Sequence, residues 1–210
     1  KKRLYRVLSI LRTPYWRLVF HDRMNTPIKT LDDVDFRLIH QHGDLDLVEV
    51  GEFQLYWPSE YSKKDLVELY KEMFRPPQFN PHAYEVGSIR VKSGDWVIDA
   101  GACEGFFSLH ALKQGANVLI IEPVPRLAEA LRNTFAEEIS SGQVMVIQAG
   151  LGAKSQEGKI SINPTAIYKS AVEMEGDVKI SIVSLDEIIA SGLIPQIDFI
   201  KMDIEGFEIE

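Results

Sequence analysis

The sequence predicts an α/β fold around an open, mostly parallel sheet, and three observations point to it. The apolar run Trp96-Val97-Ile98 reads as a buried strand that ends on Asp99 and passes into a Gly-containing turn at residues 101–105. A helical pattern follows, then a second apolar run, Val118-Leu119-Ile120-Ile121, that ends on Glu122. From Asp95 onward, strand-like and helix-like stretches alternate, as in βαβ units.

With 210 residues, 45% of them hydrophobic and 26% charged, the chain has the make-up of a globular domain with room for an extension. The formal net charge of −8 is uneven: Lys1, Lys2, Arg3, Arg6, Arg12, Arg17 and Arg23 against Asp22 give the first 23 residues +6, leaving −14 on the rest. So acidic a body argues against nucleic acid as a partner, because phosphate binding needs clustered Lys and Arg. One cysteine, Cys103, excludes an internal disulfide and fits a reducing, cytoplasmic setting. No apolar run approaches the roughly 20 residues of a membrane span, and the start lacks the apolar core of a signal peptide.

Residues 1–90 read as a helical and β extension and residues 91–210 as the main domain. Residues 4–20 form a basic amphipathic pattern interrupted near Pro14. Peripheral membrane contact is one use of such a segment, but a helix packed on the domain with its bases in water is the preferred reading. Apolar residues from Leu45 to Tyr56 interleave with polar ones, and Gly43-Asp44 and Gly51-Glu52 supply turns, so 36–57 is expected to be β-structure. Ser59 or Ser62 caps a helix running to about Phe74, with Leu66, Leu69, Tyr70 and Met73 on one face. Arg75-Pro76-Pro77 ends it. The aromatic loop from Phe79 to Tyr84 is either a lid over the site or packing beneath the N-terminal β-structure.

In the main domain the first helix carries Phe106, Phe107, Leu109 and Leu112 and stops at Gln114-Gly115. The next is periodic in steps of four, Leu127, Leu131, Phe135 and Ile139. Strand three is Val144 to Gln148, before Ala149-Gly150. Short strands are expected at 159–162 and 179–183. Ser184-Leu185-Asp186-Glu187 is a capping box, with Glu187 reaching back. Strand four runs from Ile197 to Met202, followed by Asp203-Ile204-Glu205-Gly206. A sheet ending there would leave a long apolar edge, so C-terminal strands or a covering element are expected to be missing from this sequence.

Strand, Gly turn, helix, strand, acid is how an open α/β sheet builds a nucleotide site. A dinucleotide fingerprint wants Gly-x-Gly-x-x-Gly, whereas this turn reads Gly101-x-Cys103-x-Gly105 with Phe106 and Phe107 next. Bulky residues crowd the approach of a pyrophosphate, which counts against a nicotinamide-dependent oxidoreductase. S-adenosylmethionine, an adenosine ligand without phosphates, tolerates such a turn.

Four segments in order, Val97-Ile98-Asp99-Ala100-Gly101-Ala102-Cys103-Glu104-Gly105, Ile121-Glu122-Pro123, Ser184-Leu185-Asp186, and Asp198 through Met202-Asp203-Ile204-Glu205-Gly206-Phe207-Glu208, resemble the FkbM-type methyltransferases. The likeness covers roughly residues 70–210. It implies a class I, Rossmann-like, doubly wound sheet with strand order 3-2-1-4 and onward, and S-adenosylmethionine as the cofactor. Cys103 stands where the generic turn has its middle glycine.

The resemblance implies roles residue by residue. Gly101, Ala102, Cys103 and Gly105 line the methionine end of the cofactor, with backbone amides for its carboxylate. Asp99 orients this turn or meets the ammonium; its plainer alternative is to cap the next helix. Glu122 accepts both ribose hydroxyls, and Gln148 and Ala149 border the adenine. Cys103 is a small residue in a tight turn rather than a nucleophile, because no His stands near it in sequence.

Asp203 is the candidate base or acceptor anchor, with Glu205 secondary and Lys201 a local charge partner; the alternative is that both acids satisfy amides of a following helix. No metal is expected, His40-x-His42 reading as a solvated pair. The expected reaction is methyl transfer to a hydroxyl on a small molecule or glycan, the oxygen acceptor resting on the resemblance alone. The competing reading is a noncatalytic binding or scaffold module. A cofactor-sized pocket faced by Glu122 and Asp203 separates the two.

Overall fold

The computed structural model describes residues 34–76, 80, 83–162, 171–172 (backbone only) and 176–204. The basic segment at 4–20, Phe79 of the aromatic loop, and Glu205 lie outside them.

Three strands, β1 (Phe36–His42), β2 (Leu45–Val50) and β3 (Phe53–Pro58), form an antiparallel sheet, with left-handed Gly43 and Gly51 at the turns. His40 and His42 are exposed on β1, whose register shifts between Leu38 and His40. Helix α1 (Lys63–Phe74) is capped by Ser62, whose hydroxyl accepts from the Asp65 amide at 3.2 Å. It ends at Arg75, where the following proline disfavours helical backbone.

The main sheet collects β4 (Trp96–Ala100), β5 (Asn117–Ile121), β6 (Val144–Ile147) and β11 (Phe199–Met202), all parallel, in the order β11-β4-β5-β6. Between them run α2 (Phe106–Lys113), α3 (Pro125–Thr134) and α4 (Ala136–Ser141), then β7 (Gly150–Gly152), β8 (Gln156–Ser161), β9 (Ala171–Val172), β10 (Val178–Ser184) and α5 (Leu185–Ser191). Alternate residues of each core strand face opposite sides. Val97, Val118 and Ile120 pack with Phe107, Leu131 and Phe135 on one side. Ile98, Leu119 and Ile121 pack with Ile188 and Ile194 on the other. A second four-stranded sheet, β7-β10-β8-β9, stands beside the first. The antiparallel sheet and α1 share a buried cluster with Phe106, Leu127, Ile160 and Ile182.

Two expectations are corrected. The four-step pattern from Leu127 to Ile139 is not one helix: it breaks at Phe135, with φ −103° and ψ 24°, into α3 and α4. Phe135 is fully buried beneath Gly105, while Ile139 at 36% exposure has left the core, so tertiary packing overrides the periodicity. At α5, Ser184 caps the Glu187 amide at 3.2 Å, but the Glu187 carboxylate accepts from the Ser155 hydroxyl instead of reaching back. Ser155 in turn accepts the Ser184 amide at 3.0 Å, so the reciprocal bond is relayed through a third residue.

Candidate functional site

The parallel register decides what stands at the carboxyl edge of the sheet. Ala100, Ile121, Ile147 and Met202 lie in one row of partners. The next residues extend it: the Gly101 amide donates to Ile121 O at 2.9 Å, Glu122 to Ile147 O at 3.1 Å and Asp203 to Ala100 O at 3.0 Å. Strand ends at this edge are where open α/β sheets take ligands. A cavity of about 690 Å³ opens here, walled by Gly101 to Glu104, Glu122, Lys201, Asp203 and Tyr84, with one side of α1 opposite.

Gly101 has φ +70°, and a Cβ there would lie 1.8 Å from the Asp203 carbonyl oxygen. Only glycine lets the turn and the end of β11 approach this closely. Cys103 holds a left-handed φ of +50°. Its amide donates to Glu122 Oε2 at 2.8 Å, and the Val124 amide donates to Glu122 Oε1 at 2.8 Å. Glu122 is buried at 3% exposure, and burial, only partly offset by these amides, pushes its carboxyl up to about 7. Burial likewise pushes Glu104 up to about 7, and burial with the neighbouring Glu104 and Glu122 charges pushes the Cys103 thiol well up. A thiol held protonated in this way is no nucleophile.

Asp99 and Lys201 face each other across the β4–β11 register. Asp99 is fully buried; Oδ2 accepts from the Ser108 hydroxyl at 2.7 Å, and Oδ1 has no aligned hydrogen bond but lies 3.1 Å from the Lys201 ammonium. Lys201 also donates to Gly101 O and lies 5.4 Å from the centre of the Tyr84 ring. Burial pulls Lys201 down, but Asp99, Asp203 and Glu104 outweigh it and hold it above the usual lysine value. Lys201 is thus the partner of Asp99 and the pin of the glycine turn.

The Tyr84 hydroxyl donates to Asp203 Oδ2 at 2.7 Å, and its ring packs edge-on against Phe107 at 5.5 Å. Burial, then the Asp203 charge, hold its phenol far above the usual tyrosine range, so it stays a donor. Tyr84 therefore belongs to the cavity wall.

The sequence-derived residues divide. Gly101, Ala102, Cys103, Glu122 and Asp203 line the cavity. Gly105 caps α2 behind it, a Cβ there meeting Leu131 at 2.7 Å. Asp99 is sealed below the turn. Gln148 is exposed, with Arg132 Nη1 3.3 Å from its Oε1, and Ala149 is buried; Gly150 and Leu151 form the wall at that end of β6. Glu104 was absent from the sequence-derived set, although its place inside the turn was the available signal. Tyr84 carried only the signal of an aromatic loop preceding the core.

The Methyltransferase FkbM domain model matches residues 99–210. The chain is 35% identical over 98 residues to hexuronic acid methyltransferase AglP of Haloferax volcanii, covering 45% of this chain and 39% of that protein. It is 29% identical over 79 residues to an uncharacterized protein of Methanocaldococcus jannaschii, covering 36% of this chain and 27% of the relative. These matches thus span two fifths or less of the relatives' length. A crystal structure of a methyltransferase FkbM from Methylobacillus flagellatus aligns with TM-score 0.42 and 23% identity over 60% of this chain and 31% of that one. Since the family model takes in more than half of its residues, the chain belongs to the FkbM methyltransferase family.

Proposed function

We propose that this chain binds S-adenosylmethionine and methylates a hydroxyl on a small molecule or glycan. The observation that carries the reading is Glu122: a buried carboxylate at the end of β5, fixed by two backbone amides and set in the wall of a cavity of about 690 Å³. Each oxygen retains a second lone pair, which suits the two adjacent hydroxyls of a ribose. The volume lies in the usual range for small-molecule sites.

Charge supports the cofactor. Asp65, Glu68, Glu72, Glu104, Glu122 and Asp203 line the cavity against Lys64 and Lys201. Such a wall suits a ligand bearing a sulfonium and an ammonium and repels a pyrophosphate. The residues present therefore fit S-adenosylmethionine, which when bound supplies an electrophilic methyl on a cationic sulfur. Glu122 would hold the ribose and residues 101–104 the methionine end. Asp203, oriented by Tyr84, would accept the proton of the acceptor hydroxyl as the new bond forms. Glu205 remains a proposed helper. The Haloferax volcanii relative is named for a hexuronic acid, which favours a sugar-derived acceptor here. No helix of the described residues is long and apolar enough to cross a membrane, and the proposed setting is cytoplasmic.

Calorimetric titration with S-adenosylmethionine and S-adenosylhomocysteine, with NADH and NADPH as controls, tests the reading. Binding of the first pair alone is expected. Silence from all four on folded protein, or binding of the nicotinamides, overturns it and favours the scaffold or oxidoreductase reading.

A further inference from the structure

We propose that Glu104, rather than Asp99, receives the cationic amino-acid end of the cofactor, so that selectivity for an intact methionine moiety rests on this turn residue. The inference rests on the S-adenosylmethionine reading above.

The acid that ends the first core strand is unavailable. Asp99 is 0% exposed, and its oxygens are taken by Ser108 and Lys201. It contributes nothing to the cavity wall, whereas Glu104 does. Lys201 has in effect replaced an external cation at Asp99, and a ligand ammonium must find another carboxylate.

Glu104 is placed for that. It follows left-handed Cys103 in the turn that leads into α2 through Gly105, and it lines the cavity. The charged and titratable groups around it come from several elements: Lys201 on β11 and Asp203 after it, Asp99 on β4, Glu122 after β5, Cys103 in the turn itself, Tyr84 before β4, and Lys64, Asp65, Glu68 and Glu72 of α1 across the cavity. Lys201 is already shared with Asp99 and Asp203. A half-buried carboxylate in the cavity wall, its partner Lys201 held at 3.1 Å by Asp99, is short of positive charge. Cys103 links the two ends of the binding surface, its amide bound to Glu122 and its chain neighbour being Glu104. One turn thus spaces a ribose acceptor from a cation acceptor, as a nucleoside joined to an amino acid requires.

The test compares S-adenosylmethionine, S-adenosylhomocysteine and 5′-methylthioadenosine, which lacks the amino-acid end, by calorimetry on the whole chain. Glu104→Gln is expected to weaken the first two about tenfold and to leave the third unchanged. In the wild type the ratio of S-adenosylmethionine to 5′-methylthioadenosine affinity should rise from about pH 5.5 to about 7.5 as Glu104 ionises, and Glu104→Gln should flatten it. Using the ratio cancels the titration of Glu122, which acts on both ligands. Asp99→Asn should lower the melting temperature and keep the ratio. Unchanged binding by Glu104→Gln, equal loss of all three ligands, or collapse of the ratio in Asp99→Asn alone overturns the assignment. A folded wild type that binds none of the three overturns the cofactor reading itself, and this inference with it.

Discussion

Tyr84 Oη stands 2.7 Å from Asp203 Oδ2, a hydrogen bond spanning 119 residues of sequence. The phenol keeps its proton and donates it to one oxygen of Asp203, leaving the other to meet an acceptor. Tyr84→Phe keeps the ring against Phe107 and beside Lys201 and removes the O–H alone. Turnover should drop about tenfold with cofactor affinity unchanged, while Asp203→Asn should abolish turnover and spare cofactor binding. The check is S-adenosylhomocysteine release alongside calorimetry. Full turnover by Asp203→Asn would sink the base assignment, and wild-type rates in Tyr84→Phe would show that Asp203 is oriented by something else.

Glu122 couples binding to pH. Its folded-state carboxyl lies near 7 against an ordinary 4.5, so between these values the folded chain keeps a proton that the unfolded chain has released. Stability of the ligand-free protein should therefore fall as pH rises from about 4.5 to about 7, by about 3 kcal/mol at most from this group. Asp46, Glu49, Glu60 and Glu85 are held below their ordinary values and act in the opposite sense, below that window. Glu104 is pushed up to about 7 in the same way, so Glu122→Gln should reduce the slope in urea titrations without abolishing it, and should weaken S-adenosylmethionine ten- to about a hundredfold. A slope identical in wild type and variant would refute the linkage.

The Asp99–Lys201 pair should behave as a buried ion pair whose halves cannot be removed singly. Lys201→Met strands a carboxylate inside the sheet and is expected to cost about 3–5 kcal/mol in chemical denaturation. Adding Asp99→Asn should restore at least about 1 kcal/mol, since the stranded charge is gone. Additive losses in the double variant would mean that the two side chains act independently.

Gly101 is a steric requirement of the site. Gly101→Ala would set a methyl 1.8 Å from the Asp203 carbonyl, whereas Gly142→Ala, also at positive φ, meets open space. The second change should cost only the left-handed strain, about 1 kcal/mol. The first should cost several times more, and cofactor binding with it. Equal melting temperatures for the two variants would show that β11 yields freely.

The core strands and most helix ends were legible because period-two and buried runs, Ser caps and Gly stops are local signals. The break at Phe135 was not, because the apolar spacing continues through it and only the burial of its ring beneath Gly105 decides the matter. Glu122 could be read from its spacing to Asp99. The fate of Asp99 could not, because the cation that seals it stands 102 positions later and is brought beside it by sheet register. Tyr84 illustrates the same limit: an aromatic in a loop carries no mark of the carboxylate it will meet.

The row at the sheet edge is completed at different moments. The turn and Glu122 come from one contiguous β4–α2–β5 unit, whereas Asp203 is about 80 residues further along the chain. During synthesis the turn and Glu122 leave the ribosome well before Lys201, which pins the turn, and Asp203. In that interval Asp99 lacks the cation that compensates it and the turn lacks its pin, so the cavity is completed only when β11 pairs with β4. Docking of β11 adds Lys201 and Asp203 to the cavity wall.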